Sequence, residues 1–207
     1  MTDSEDPLIE WTEFKKHRSH FFALIGHCVT QYQSVEDYLP DIFAAGLGIN
    51  EAKAIKIFNH VRALENKLAM ISEALTDAAE EHQLRWENLV MQIRAAAKAR
   101  NQIAHAKPVH HGGGIVVDIG DKSVRRIGSD RMKLHKKDRD SEAVWTTEEL
   151  SAEYDRVSEL FGHLIAFVRR LKGQSVPAHL DDPLESKTPE VENAKRRRRG
   201  KRKAEGS

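Results

Sequence analysis

The chain has 207 residues, a formal net charge of +1 and a charged fraction of 31%. Its longest apolar run, Phe21 to Ile25, is far shorter than the roughly 20 residues of a membrane-spanning helix, so we expect no membrane partner. The acidic start of the chain lacks the apolar core of a secretory signal, and Cys28 is the only cysteine. We therefore predict a cytoplasmic protein without disulfides, whose length suits one well-buried domain.

Positive charge is concentrated in two parts of the chain. Residues 94–139 carry twelve Lys or Arg against four Asp or Glu, and residues 174–207 carry nine against six, which leaves about −10 for the rest. Such asymmetry steers a polyanion towards one region, although a solvated surface explains the same counts. In the first interpretation, the basic residues that contact RNA are Lys98, Lys107, Arg125, Arg126, Arg131 and Lys133.

The first predicted element is an amphipathic helix. Apolar residues from Trp11 to Ile42 recur at alternating steps of three and four, and the stripe is broken only at Arg18. Pro40 removes the helical hydrogen bond that would reach the carbonyl of Glu36, so we expect a kink near Glu36.

Two further helices follow in chain order. Asn50 is a good N-cap for a second helix, whose apolar stripe continues from Ala54 to Ala78 without a break. The third helix runs from about His82 to Ala106. It ends there because Pro108 disfavours helical backbone at the residue before it.

A fourth helix begins at a capping box formed by Thr146 and Glu149, and Gly173 ends it. Its apolar residues recur from Leu150 to Leu171 at heptad-like spacing. Four amphipathic helices with matching stripes predict a mainly α protein, a four-helix bundle that occupies residues 1–173.

Between the third and fourth helices the apolar period changes from 3.6 to 2. Residues 115–119 and 123–127 flank a turn at Gly120-Asp121, which predicts a β-hairpin inside an insertion of about 114–145. Residues 131–135 and 142–145 have the pattern of two more short strands. Residues 174–207 contain too few apolar side chains to offset their chain entropy, so we expect a disordered basic tail.

The most concentrated chemistry lies late in the third helix, at Arg100, Asn101 and His105. Arg100 continues the inward stripe, so it needs an anionic partner or a cavity, because an unpaired buried charge is costly. Asn101 and His105 are four residues apart and share one helix face. Alanines around them leave room for another helix or a ligand.

The stretch Ala99-Arg100-Asn101-Gln102-Ile103-Ala104-His105-Ala106 closely resembles the motif of the HEPN superfamily. That motif is an arginine, a polar residue after it, and a histidine four to six residues beyond the arginine. The resemblance covers the bundle, about residues 8–172, but only these eight residues are specific. It implies a metal-independent endoribonuclease of a toxin–antitoxin, antiviral or RNA-processing system, or a non-catalytic relative. It also implies a homodimer with two facing motifs, and an antitoxin or regulatory protein as a further partner.

The three residue types themselves suit phosphodiester cleavage. His105 can take a proton from a ribose 2′-OH or deliver one to the leaving 5′-oxygen. Arg100 can hold the phosphate and stabilise its growing charge, and Asn101 can orient the phosphate or the imidazole. In-line cleavage needs a base and an acid on opposite sides of phosphorus, and the implied dimer supplies the second histidine. Glu36, near the predicted kink, is the acid that we expect to support the site.

Three alternatives stay open at this point. Arg100 could pair with a bundle carboxylate such as Glu36 while His105 only caps the helix end. The chain could be a non-catalytic dimeric binding module, or a scaffold that associates with RNA through its basic segment and tail. The intact set of Arg100, Asn101 and His105 favours an enzyme over a pure binder, which has no need of the histidine.

We expect no metal and no cofactor. His110, His111 and His135 lie in the basic segment, but no cysteine pair, His-Glu-x-x-His motif or carboxylate cluster accompanies them. The three glycines at 112–114 lack the lysine and the following helix of a phosphate-binding loop, so they are interpreted as a flexible joint.

Overall fold

The computed structural model describes residues 7–111, 115–118, 123–126, 131–135 and 143–180, and these residues are mostly helical. The mainly α prediction is therefore confirmed. No helix among the described residues is long and apolar enough to cross a membrane. The helices are α1 (Pro7–Asp37), α2 (Leu39–Leu47), α3 (Glu51–Phe58), α4 (Leu64–Ala74), α5 (Glu80–His105) and α6 (Thr147–Leu171), followed by a 3₁₀ turn at Ala178–Leu180.

Short strands lie between α5 and α6: β1 (Lys107–His111), β2 (Ile115–Asp118), β3 (Ser123–Arg126), β4 (Arg131–His135) and β5 (Ala143–Thr146). One antiparallel sheet has the order β1-β4-β5, and β2 pairs with β3 separately. The sequence did not predict β1. Pro108 ends the helix as expected, but the extended backbone that Pro108 favours continues and pairs with β4. The expected turn at Gly120-Asp121 lies outside the described residues.

Contacts within the chain form two compact units. The first unit draws on residues 1–31 and 99–156, and the second on residues 32–98 and 157–207. Both units therefore take residues from α1, α5 and α6. The single domain predicted for residues 1–173 stays a prediction.

The first unit has a buried cluster to which α1, α5, β4 and α6 contribute. Ile103 is its residue from α5, so the helical turn that carries Asn101 and His105 is anchored by apolar burial. The start of α6 is fixed by the predicted capping box. The Thr146 amide donates to Glu149 Oε2 at 2.8 Å, and the Glu149 amide donates to Thr146 Oγ1 at 3.2 Å. The fully or largely buried members of the cluster are Phe21, Leu24, Cys28, Ile103, Leu134 and Leu150.

In the second unit, Pro40 lies just after the boundary between two helices. Helix α1 ends at Asp37, and α2 starts at Leu39 with Pro40 in its first turn. A proline is tolerated there because the first amide groups of a helix have no helical acceptor. The expected kink near Glu36 is therefore a helix boundary one residue further along the chain.

The prediction of one unbroken second helix is wrong. Asn50 caps α3 by accepting from the Ala52 amide at 2.9 Å, but α3 ends at Phe58 and α4 begins only at Leu64. Phe58 is buried against Phe43, with ring centroids 5.2 Å apart. Phe58 thus packs into the core from the last residue of α3, and residues 59–63 separate it from α4.

Helix α6 ends as predicted, but the chain stays structured beyond its stop. Gly173 has φ +65°, a left-handed conformation that glycine adopts without strain, and the next amide donates to the Arg169 carbonyl. Arg170 Nη2 then donates to the Leu180 carbonyl at 3.2 Å. The structured chain is therefore longer than the composition predicted, by the segment 174–180. The rest of the predicted tail lies outside the described residues.

Candidate functional site

The last two turns of α5 present the motif from a fixed helical backbone. Ala99 and Ile103 are buried four residues apart on its inner face. Asn101 and His105 are exposed, and Arg100 is half-buried, as its place on the inward stripe predicts. Four residues of helix separate Asn101 from His105 by about 6 Å along the axis. The turn therefore offers an exposed amide, an exposed imidazole and a partly desolvated guanidinium together.

The guanidinium of Arg100 is only partly satisfied. Its Nη1 donates to Asn101 Oδ1 at 3.0 Å. Its Nε is buried and has no hydrogen-bond partner among the described residues. Leaving a buried donor unpaired costs on the order of 1–3 kcal/mol, and more for a charged group. An acceptor that hydrogen-bonds to this Nε would recover that free energy, and an anionic oxygen would recover more of it than a neutral oxygen.

His105 is the final residue of α5, and its side chain makes no hydrogen bond within the described part of the chain. The alternative in which the imidazole caps the helix end therefore has no contact that supports it. An exposed imidazole without a structural partner can exchange protons with a ligand.

A second buried donor in the first unit also has no acceptor. Trp145 lies on β5 opposite Leu134 and packs on the cluster that contains Ile103. Its indole Nε1 is buried without a hydrogen-bond partner among the described residues. Buried indole N–H groups usually find an acceptor. Among its described residues, the first unit thus contains two unsatisfied donors, Arg100 Nε and Trp145 Nε1.

Glu36, the predicted supporting acid, belongs to the second unit. It accepts from the Tyr32 hydroxyl at 3.1 Å, and Lys67 Nζ lies 3.9 Å from its other carboxylate oxygen. These contacts give Glu36 partners of its own. Its support of the site stays a prediction.

The predicted RNA-binding residues fall on several elements. Lys98 is exposed on α5. Backbone register places Lys107, Arg131 and Lys133 in the β1-β4-β5 sheet. Arg125 and Arg126 occupy β3, in the separate strand pair. Three of the six therefore lie in one sheet, with Lys107 and Arg131 at opposite ends of the pairing between β1 and β4.

Sequence reasoning missed a buried ion pair in the first unit. Glu153 is only 8% exposed, and Arg156 forms two hydrogen bonds with its carboxylate, at 2.9 and 2.5 Å. A signal was present, because a glutamate and an arginine three residues apart share a helix face. Nothing in the sequence showed that this face is buried.

Cys28 is buried in the same unit and has the chemistry of an inert thiol. Its Sγ donates to the Leu150 carbonyl at 3.3 Å. Burial, and secondarily the charge of Glu153, raise the pKa of Cys28 from 9.0 to about 11. Because thiolate is the reactive form, Cys28 is a poor nucleophile near neutral pH.

Alkylation by iodoacetamide at pH 7.5 is expected to be slow in the native protein and fast in urea. Because folding raises the pKa of Cys28, the protonated thiol contributes to the free energy of unfolding. This contribution is fully present below pH 9 and is lost as the pH rises through about 11. The rate at which the native protein is alkylated should therefore rise over the same pH range. Mass spectrometry follows the reaction, and the Cys28→Ser variant serves as the blank. Equal rates at pH 7.5 with and without urea would contradict the burial of Cys28.

Among the described residues, no three His, Cys, Asp or Glu side chains are grouped so that they could hold a metal ion. A scan against protein-family models and searches of curated proteins and solved structures found no match to this chain.

Proposed function

We propose that this chain is a HEPN-like, metal-independent endoribonuclease. The fold that goes with this proposal is a four-helix bundle with a β-hairpin insertion. Its catalytic residues are Arg100, Asn101 and His105. The observation that carries the proposal is the half-buried Arg100. Its Nε lacks an acceptor among the described residues, its Nη1 donates to Asn101, and the exposed His105 lies about one helical turn beyond Asn101.

The proposed step is transesterification within the RNA strand. The imidazole of His105 removes the proton of a 2′-OH, and the 2′-oxygen forms a bond to the adjacent phosphorus. The bond from phosphorus to the 5′-oxygen breaks, and that oxygen takes a proton from an acid on the opposite side. Arg100 donates to the non-bridging oxygens, whose negative charge grows in the transition state. The products are a 2′,3′-cyclic phosphate and a 5′-hydroxyl.

The acid is assigned to His105 of a second copy of the chain. Each copy supplies one motif, so two motifs that face each other provide both a base and an acid. The exposed placement of Asn101 and His105 on α5 supports this arrangement, because neither is covered within its own chain.

A homodimer is accordingly expected in solution. Light scattering at tens of micromolar should give twice the monomer mass of 23.5 kDa. Specific activity per chain should fall when the protein is diluted through the dissociation range, because each site then loses one histidine. A strict monomer with undiminished activity on dilution would eliminate the composite site.

The chemistry itself is tested by comparing two matched oligonucleotides in EDTA. One is an all-RNA strand, and the other carries a single 2′-deoxy substitution at each mapped cleavage position. Cleavage should occur only where the 2′-OH is present, and the upstream product should end in a cyclic phosphate. Binding of both strands without cleavage of either would favour a non-catalytic RNA-binding module. Cleavage at the 2′-deoxy position would exclude the proposed step.

A further inference from the structure

Helix α1 contains a segment without acidic residues, whose lysine and arginine side chains are Lys15, Lys16 and Arg18. Residues 14–35 contain no Asp or Glu, and every residue from 15 to 20 is exposed. Most of the acidic residues of the chain lie outside the basic regions 94–139 and 174–207, so a long stretch without acids is unusual in this part of the chain. Its basic and imidazole side chains are Lys15, Lys16, His17, Arg18, His20 and His27.

Four of its residues form one exposed strip, which we call the α1 strip: Lys15, Arg18, Phe22 and Gly26. Their spacing of three, four and four residues places them along one side of the helix. All four are exposed, whereas another side of the same helix is buried in the cluster of the first unit. The α1 strip is thus an exposed surface on a helix whose backbone is fixed by its packing.

Phe22 is an exposed aromatic ring with a defined position. It is 41% exposed, and its edge-to-face neighbour Phe21, 6.1 Å away between centroids, is fully buried. The guanidinium carbon of Arg18 lies 5.8 Å from the centroid of the Phe22 ring. A ring anchored on one side and flanked by a cation offers a π-face at little entropic cost.

Gly26 leaves open space one turn beyond Phe22. A Cβ added at Gly26 would meet nothing within 4 Å, so packing does not require glycine there. Glycine inside a helix is destabilising relative to alanine. Because this position has no side chain, the helix surface one turn beyond Phe22 is clear.

We propose that the α1 strip binds single-stranded RNA. A base stacks on Phe22 above the clear surface at Gly26, and Lys15 and Arg18 contact the phosphates on either side. Stacking on an aromatic ring combined with basic side chains is the usual way in which proteins hold unpaired nucleic acid. The proposal rests on the proposed function only in identifying this RNA with the strand that is cleaved.

The strip and the motif belong to the same compact unit. Phe21 and Ile103 share one buried cluster, and Ile103 lies between Asn101 and His105. A strand held by the α1 strip is therefore held by the same packed unit that presents the motif.

A membrane surface fits this helix less well than RNA does. A helix that lies in a membrane interface needs a broad apolar face turned towards the lipid. The apolar side of α1 is already buried within the protein, and Phe22 is the large apolar side chain exposed on the strip. Duplex RNA is also a poor fit, because its bases are stacked on each other and cannot stack on Phe22.

Binding is measured by fluorescence anisotropy with a labelled 12-nucleotide oligouridine, in a His105→Ala background so that the probe stays intact. Phe22→Ala should weaken binding on the order of tenfold, because a base loses its stacking partner. Arg18→Ala should lower the slope of log affinity against log salt by about 0.7, the value for one phosphate contact on a single strand. Two matched controls in the second unit, Leu84→Ala and Arg62→Ala, should leave both quantities unchanged; both residues are exposed.

Gly26→Gln separates binding from folding. The substitution should raise the melting temperature while weakening oligouridine binding several-fold, whereas Ala152→Gln, at an exposed position of α6, should leave binding unchanged. Wild-type affinity in both Phe22→Ala and Gly26→Gln would overturn the proposal. Loss of binding to phosphatidylserine vesicles in the same variants, with oligouridine binding intact, would overturn it as well. If the strip variants weaken binding but the wild type cleaves no RNA, the proposed function fails and the α1 strip stands.

Discussion

His105→Ala is expected to lower the rate of RNA cleavage by about 10²–10⁴-fold, because it removes the group that transfers the proton. Arg100→Ala is expected to cost on the order of 10²–10³-fold, because the growing charge on the phosphate loses its donor. Arg100→Lys should restore little, since an ammonium group cannot reproduce the planar fork that reaches Asn101 and the phosphate together. Initial rates with a labelled RNA in EDTA measure all three effects.

The matched controls are His60→Ala and Arg62→Ala. Both residues are exposed in the second unit, so they test whether loss of any surface imidazole or cation lowers activity. Circular dichroism should show unchanged helix content in His105→Ala, because the His105 side chain is exposed and makes no hydrogen bond within the described part of the chain. Activity that survives His105→Ala would remove the imidazole from the mechanism.

Local rules predicted three of the helix ends. The capping box at Thr146, the N-cap at Asn50 and the stop at Gly173 depend on residues adjacent in sequence, and all three are present in the structure. The unbroken second helix failed for the opposite reason. Residues 59–63 interrupt the helix between α3 and α4, and apolar periodicity alone does not encode that interruption.

The candidate site likewise has features that the sequence predicted and features that it could not predict. The position of Arg100 on the inward stripe predicted its partial burial, since helical periodicity is local. The sequence could not show that Nε lacks an acceptor, or that Trp145 Nε1 shares that condition, because satisfaction of a donor depends on the whole fold. Charge totals over long segments do not reveal the α1 strip, because neighbouring acidic residues cancel the charge of a short run without acids.

The Glu153–Arg156 pair is expected to give the largest change in stability. Arg156→Ala leaves a carboxylate that is 8% exposed without its counter-ion, and breaking a buried pair in this way typically costs about 3–5 kcal/mol. Such a loss is a large part of the about 5–15 kcal/mol by which a folded domain is stable. Glu153→Ala should cost less, because the more exposed Arg156 side chain can turn to solvent. Urea titration followed by circular dichroism measures both.

Two further variants decide whether burial is the cause. The double substitution Glu153→Leu, Arg156→Met should recover most of the stability that Arg156→Ala loses, because apolar side chains replace the pair without leaving a charge behind. Arg94→Ala breaks a chemically identical arginine–glutamate pair with Glu65 on the exposed surface, where water solvates the released carboxylate. It should therefore change the free energy of unfolding little. Equal losses from Arg94→Ala and Arg156→Ala would mean that desolvation of Glu153 does not determine the cost, and the buried pair would then be an ordinary helix-surface interaction.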